Sequence, residues 1–284
     1  TCIGSAEMVG VLLSVHIWLR VPETLLFTWR GQLAPGVYAK DIILRTIKEI
    51  GQAGATYKVM EFAGDTIAGL SVDERMTLTN MAVEAGAKTG LITSDEKVFA
   101  YLNAIGAGHG FPVASDPDAA YASAFSFDAA ALAPQVALPH EVDNVVDITA
   151  APTVAIDQAY LGSCTNGRYH DLAEAARVLA GRKVHPRVRL LVSAASHDIY
   201  HRALKDGLLE IFSAAGAMIL APSCGACLGL HSGILGRGER AISTTNRNFL
   251  GRMGHKESEI YLASPASVAA AAIAGQIVDP RHYL

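Results

Sequence analysis

From about Thr153 onward the sequence alternates between short apolar runs and helical patterns, and this alternation most narrows its fold. "TVAIDQAYL", "RVRLLVS", "AMILA", "ERAISTT" and "EIYLAS" read as strands rich in Val, Ile, Leu and Ala. "LAEAARVLAG", the stretch from His197 to Ala215 and "ASVAAAAIAG" read as helices. Ser264 supplies an N-cap for the last of them and Pro265 a first-turn proline. Strands separated by helices argue for an α/β fold with a largely parallel sheet. In such sheets ligand sites gather beyond the carboxyl ends of the strands. Cys164, Cys224 and Asn246 each fall just after a predicted strand, so three loops are expected to converge on one place.

The first part of the chain mixes the same two signals. "ETLLFTWRGQL" predicts a strand ending at Gly31, and "YKVMEFAG" another. "AKDIILRTIKEIG" carries Ile43, Ile47 and Ile50 at helical spacing, with Gly51 as the stop. "LSVDERMTLTNMAVEAGA" predicts a helix opened by a Ser71/Glu74 capping box and ended by Gly86. "TGLITSDEKVFAYL" reads as strand, turn and helix. Between Gly106 and Pro152 the periodicity fades among Pro, Ser and Asp, which predicts a long connection. The expected organisation is a first α/β lobe over residues 1–108, a connection over 109–152, and a second lobe over 153–284.

With 284 residues, half of them hydrophobic and 18% charged, the chain has material for a real core and too little charge for disorder. A net charge of −4 gives no sign of a nucleic-acid partner. "VGVLLSVHIWL" is broken by His16 and is too short to span a membrane, and no signal-peptide pattern is visible. Four cysteines do not make a disulfide scaffold. A soluble, cytoplasmic protein is the expectation.

"APSCGACLGL" places Cys224 and Cys227 three apart, and "LGSCTNGR" places Cys164 sixty residues upstream. Cys2, in an apolar start, reads as a packing residue. A redox dithiol needs its pair at a helix start. "SCGACLGLHSG" is too rich in glycine for that, and Cys164 would be left unused. A four-ligand zinc site lacks a partner near Cys164, His170 being six residues away; a three-cysteine zinc site with one open position stays open. An iron–sulfur cluster fits better, because three thiolates hold three irons and leave a fourth free as a Lewis acid. His197 and His201, four apart around Asp198, are read as no metal site for want of a third ligand.

"GSCTNGR", "PSCGACLG" and "STTNRNFLGRMG", in this order, resemble the aconitase superfamily, most closely its isopropylmalate dehydratase and homoaconitase large-subunit branch. "EIYLASPASVAAAAIAGQIVDPR" and "EFAGDTIAGLSVDERMTLTNMAVEAGAKTGLI" are similar to further blocks of that branch. The resemblance spans essentially the whole chain and is weakest over 110–150. It implies aconitase-like α/β lobes and a 4Fe-4S cluster on Cys164, Cys224 and Cys227, with the cofactor able to be lost. Asn246 would support the cluster, as would Asn166 and Arg168. Arg247, Arg252 and Asn80 would bind substrate, since guanidinium grips carboxylate bidentately. Glu84, four residues from Asn80 and so on the same helix face, would be catalytic beside the hydroxyl or water. The bland alternative for Asn80 and Glu84 is a solvent-facing stripe with Thr77. His140 sits in a family-like block without an assigned role.

The implied activity is a hydro-lyase that isomerises a small di- or tricarboxylate hydroxy acid by dehydration and rehydration. Isopropylmalate in leucine biosynthesis comes first; a homoaconitase, a dimethylmalate-type dehydratase or a non-catalytic iron–sulfur protein are the alternatives. The catalytic serine would come from a small subunit carrying the swivelling domain. "TCIGSAEMVG" resembles the segment just after the family's early "GDSHT"-like block, so the chain is expected to be a portion of a large subunit, inactive alone.

Overall fold

Strand β1 (Thr24–Arg30) alternates along its length, turning Leu25, Phe27 and Trp29 into the interior. The computed structural model describes residues 4–108 and 110–284; Cys2 lies outside the described residues. β1 is central in a four-stranded parallel sheet with β2 (Val59–Ala63), β3 (Thr89–Ile92) and β4 (Ser123–Asp128), in the order β3-β2-β1-β4. The connecting helices are α1 (Ser5–Ser14), α2 (Ala39–Ile50), α3 (Asp65–Gly69), α4 (Val72–Met81) and α5 (Glu96–Ala104). α4 opens on the expected capping box: Ser71 Oγ accepts from Glu74 N, and the Glu74 carboxylate accepts from Ser71 N at 2.9 Å.

The second sheet has seven strands. β7 (Gln158–Gly162), β8 (Arg189–Ser193), β9 (Met218–Leu220), β10 (Arg240–Ser243) and β11 (Glu259–Ala263) run parallel. β5 (Gln135–Ala137) and β6 (Val145–Asp147) add an antiparallel edge, giving the order β6-β5-β11-β10-β7-β8-β9. Its helices are α6 (Ser163–Asn166), α7 (Tyr169–Leu179), α8 (His197–Lys205), α9 (Leu208–Ala215) and α10 (Pro265–Ala274).

The second sheet is covered on both faces, as parallel sheets generally are. Ala159, Leu161, Leu190, Val192 and Ile242 share one apolar cluster with α7, α9 and α10. Tyr160, Leu191, Ala241 and Ile260 share the other with Phe27, Ile42, Ile43 and Leu78 of the first sheet and its helices. One apolar layer therefore joins the two sheets and holds their loops in register. Among the described residues, no helix is long and apolar enough to cross a membrane.

The stretch expected to be a connection carries three strands, of which β4 joins the first sheet and β5 and β6 the second. β4 has no buried residue, and β5 and β6 have three residues each, so alternation has no room to show. The helical run from His197 to Ala215 is two helices, divided at Asp206 and Gly207, where Gly207 takes φ +78°.

Candidate active site

The loops leaving the carboxyl ends of β7 and β10 meet α4 and the turn that follows it, and the loop after β9 meets the β10 loop, where Arg252 faces Cys227. After β7 the backbone passes so close to β8 that a Cβ on Gly162 would lie 2.4 Å from Ser193 O. Ser163 then adopts φ +77°, and the short α6 presents Cys164 to solvent. After β9, Cys224 opens a 3-10 turn over Gly225–Leu228, closed by Gly229 in the left-handed region. Cys224 is exposed, whereas Cys227 is 6% exposed. Burial pushes the Cys227 thiol above its usual pKa, Arg252 opposes this, and Cys164 and Cys224 add to it. All three thiols are free. Among the described residues, no group of three or more His, Cys, Asp or Glu side chains is arranged to hold a metal ion.

Nitrogen donors face two of the sulfurs. Asn80 Nδ2 lies 3.9 Å from Cys164 Sγ, and an Arg252 guanidinium nitrogen lies 3.8 Å from Cys227 Sγ. The Asn80 amide is oriented by Thr165, whose hydroxyl donates to its Oδ1 at 2.8 Å. Arg252 also lies over the Phe249 ring.

Glu84 reaches the site by a different route from Asn80. α4 ends at Met81, and Glu84 belongs to the 3-10 turn Ala82–Ala85 that tightens the chain before Gly86. Its side chain, 8% exposed, is directed to the loop after β10. Asn246 Nδ2 donates to Oε1 at 2.6 Å, and Arg247 Nε contacts Oε1 at 3.0 Å and Oε2 at 2.9 Å. Thr77 is fully buried and donates to Thr165 O, so it forms no solvent-facing stripe with them.

The buried Asn166 amide donates to Thr77 Oγ1 at 3.1 Å and to Asp171 Oδ1 at 2.9 Å. Arg168 donates to Cys164 O at 3.1 Å, steadying the loop through its backbone. His197 and His201 are exposed on α8.

Residues 1–154 and 150–275 match the model of the aconitase family (aconitate hydratase). The chain belongs to the aconitase family. It is 52% identical over 284 residues to a 3-isopropylmalate dehydratase large subunit 1 of Methanopyrus kandleri, covering 100% of this chain and 68% of that one. Identity is 51% over 284 residues to a large subunit of that name from Halothermothrix orenii, with the same coverage. It is 52% over 286 residues to 3-isopropylmalate dehydratase large subunit 1 of Pyrococcus furiosus, again with the same coverage.

Two buried residues in this aconitase-family site carry no signal in the sequence. Lys40, on the first turn of α2, is fully buried and donates to Thr244 O at 3.0 Å and Thr245 O at 2.6 Å. It thereby fixes the backbone just before Asn246 and Arg247. Burial lowers its pKa to about 7, against the pull of Asp171, Glu84, Cys227 and Asp41. Asp171 accepts from Asn166 and from Arg168 N, and burial raises its pKa to about 6. Lys40 stands at a helix start like any surface lysine, so only its tertiary neighbours reveal it.

Proposed function

We propose that this aconitase-family chain works as the large subunit of a 3-isopropylmalate dehydratase-type hydro-lyase, holding a 4Fe-4S cluster on Cys164, Cys224 and Cys227. The observation that carries the reading is the Glu84 carboxylate, clamped by Asn246 and Arg247 on the loop whose Arg252 faces Cys227 Sγ. The roughly 50% identity to named large subunits supports the substrate and a small-subunit partner, and the family resemblance implies that this partner carries the swivelling domain and catalytic serine.

The donor set suits the cluster. The three cysteines are free and stand on the loops that follow β7 and β9, and an iron–sulfur cluster takes one thiolate for each protein-bound iron. Asn80 and Arg252 direct N–H groups at the sulfurs, which is how proteins stabilise the charge of such centres. When bound, the cluster supplies a Lewis acid at an iron that lacks a protein ligand, weakening the bond to a substrate hydroxyl.

The rest is the work of side chains. Arg247 and Arg252, on one loop, give positive charge for the substrate carboxylates. Glu84 takes or returns a proton at the departing hydroxyl, its orientation fixed by Asn246 and Arg247. Asn80 holds the Cys164 side of the site. Abstraction of the carbon-bound proton falls to the partner subunit's serine.

Anaerobic iron and sulfide analysis of the reconstituted chain, followed by assay of isopropylmalate dehydration with a small subunit, tests the proposal. Bound iron and sulfide with turnover support it. Stoichiometric zinc without sulfide, or a loaded complex that turns over no hydroxy acid, would overturn it.

A further inference from the structure

Asn246 and Arg247, which hold Glu84, lie on the loop between β10 and β11 and belong to no strand or helix. Two buried side chains bracket the pair. On one side, Lys40 Nζ donates to Thr244 O at 3.0 Å and to Thr245 O at 2.6 Å. On the other, Asn248 Nδ2 donates to Leu138 O at 2.8 Å and to Glu141 O at 3.3 Å. Two carbonyl acceptors decide which end of the Asn248 amide is turned to them. Leu138 and Glu141 flank His140, so the block around His140 meets this loop through its backbone.

Both brackets trace to the first turn of α2. Asp41, next to Lys40, accepts from Gln135 N at 2.7 Å and from Tyr38 N at 2.8 Å. Gln135 opens β5, and Leu138 follows directly on the end of that strand. One helical turn therefore fixes Thr244 and Thr245 directly, and Leu138 through a short strand. Lys40, Asp41, Gln135, Thr244, Thr245 and Asn248 are all 0% exposed. Water cannot replace these bonds, and a buried polar group left without a partner is costly. The bonds of Lys40 and Asn248 run to backbone carbonyls, so both side chains act through the loop rather than on substrate.

We propose that Lys40 and Asn248 are positioning residues for the reaction, together holding Asn246 and Arg247 where they clamp the Glu84 carboxylate. In its catalytic part the inference rests on the hydro-lyase reading above. Asn246 Nδ2 and Arg247 Nε lie 2.6 and 2.9 Å from the Glu84 oxygens. Play of ~1 Å in the loop would carry both past hydrogen-bond length. Misplacing a catalytic group by that much can cost about 10²-fold in rate.

Asn248→Ala removes one bracket and Lys40→Met the other. In the metal-free chain, amide hydrogen exchange over residues 244–252 is expected to quicken by about 2- to 10-fold in each variant, the reach of a net hydrogen bond. Exchange over α7 is expected to stay parental. In the reconstituted complex with a small subunit, each variant is expected to keep its iron and sulfide and to lose about 10- to 10²-fold in kcat/KM on isopropylmalate. In a Glu84→Gln background the same changes are expected to cost about twofold or less, because the clamp they position has already lost its ion pair. Thr46→Val, a buried change farther along α2 whose hydroxyl donates to Ile42 O, is expected to leave exchange and turnover parental. Where Asn248→Ala does not fold, Lys40→Met makes every measurement. Parental exchange or parental turnover in the folded variants, or an undiminished loss in the Glu84→Gln background, would overturn the assignment. A parent complex without turnover overturns the hydro-lyase reading instead, and the exchange measurement still decides whether the two side chains hold the loop.

Discussion

Arg247 grips Glu84 by both carboxylate oxygens, its Nε lying 3.0 Å from Oε1 and 2.9 Å from Oε2, across 163 residues of sequence. Asn246 adds a 2.6 Å bond to Oε1. The carboxylate is thus held by two neighbours on one loop, while the end of α4 supplies its backbone. Glu84→Gln keeps the size and loses the charge and the ion pair. Turnover in the loaded complex is expected to fall by about 10²- to 10⁴-fold, the usual contribution of a positioned acid or base. Iron content should be unaltered. A variant with parental turnover would remove Glu84 from the chemistry.

The cysteines divide by burial, which separates ligation from packing. Cys164→Ala and Cys224→Ala alter exposed side chains, so metal-free stability should stay within about 0.5 kcal/mol. Cys227→Ala removes a sulfur packed in the core and is expected to cost about 1 kcal/mol or more. All three should lose iron and sulfide. Denaturant melts of the metal-free chains beside metal analysis of the reconstituted ones check both halves. A variant that keeps full iron excludes its cysteine as a ligand.

Where the sequence was legible, the signals were local. Ser71 and Glu74 lie three apart and cap α4 by contacts between themselves. Strands rich in Val, Ile and Leu followed by glycine loops placed Cys164, Cys224 and Asn246 at carboxyl ends of one sheet, so their convergence could be anticipated. The contacts that define the site are tertiary and were not legible. Nothing near Glu84 indicates the 3-10 turn that sends it to Arg247. Nothing near Asn166 indicates that Thr77 and Asp171 take its amide hydrogens. Lys40 lies on a helix whose apolar face is plain, yet its burial depends on Thr244 and Thr245, some two hundred residues later. β4 gives no signal for a related reason, since an edge strand without buried residues carries little alternation.

Gly162 sets the exit of the Cys164 loop. A methyl group there would lie 2.4 Å from the backbone oxygen of Ser193, which cannot rotate away as a side chain could. Gly162→Ala is expected to destabilise the chain by about 1–3 kcal/mol, as overpacking commonly does. It should also reduce cluster loading, because Cys164 is two residues along. Thermal melting and iron analysis of Gly162→Ala read both effects. Parental values in both would mean that β7 and β8 separate easily.

Lys40 gives the fold a dependence on pH whose sign is set by burial. Its pKa is about 7 in the folded chain against 10.5 for an ordinary lysine. Below pH 7 both states carry the proton. Above it the folded state releases the proton while the unfolded state keeps it, so the unfolded state binds more protons and stability rises with pH. Asp41, raised to about 7 by burial, acts with the opposite sign and mainly below this window. Lys40→Met cannot titrate, so the rise of unfolding free energy from about pH 7 to about pH 9, before tyrosines ionise, should vanish. Denaturant unfolding of the metal-free chain and of Lys40→Met across that range makes the comparison. Equal slopes in the two would show that the buried ammonium does not release its proton there.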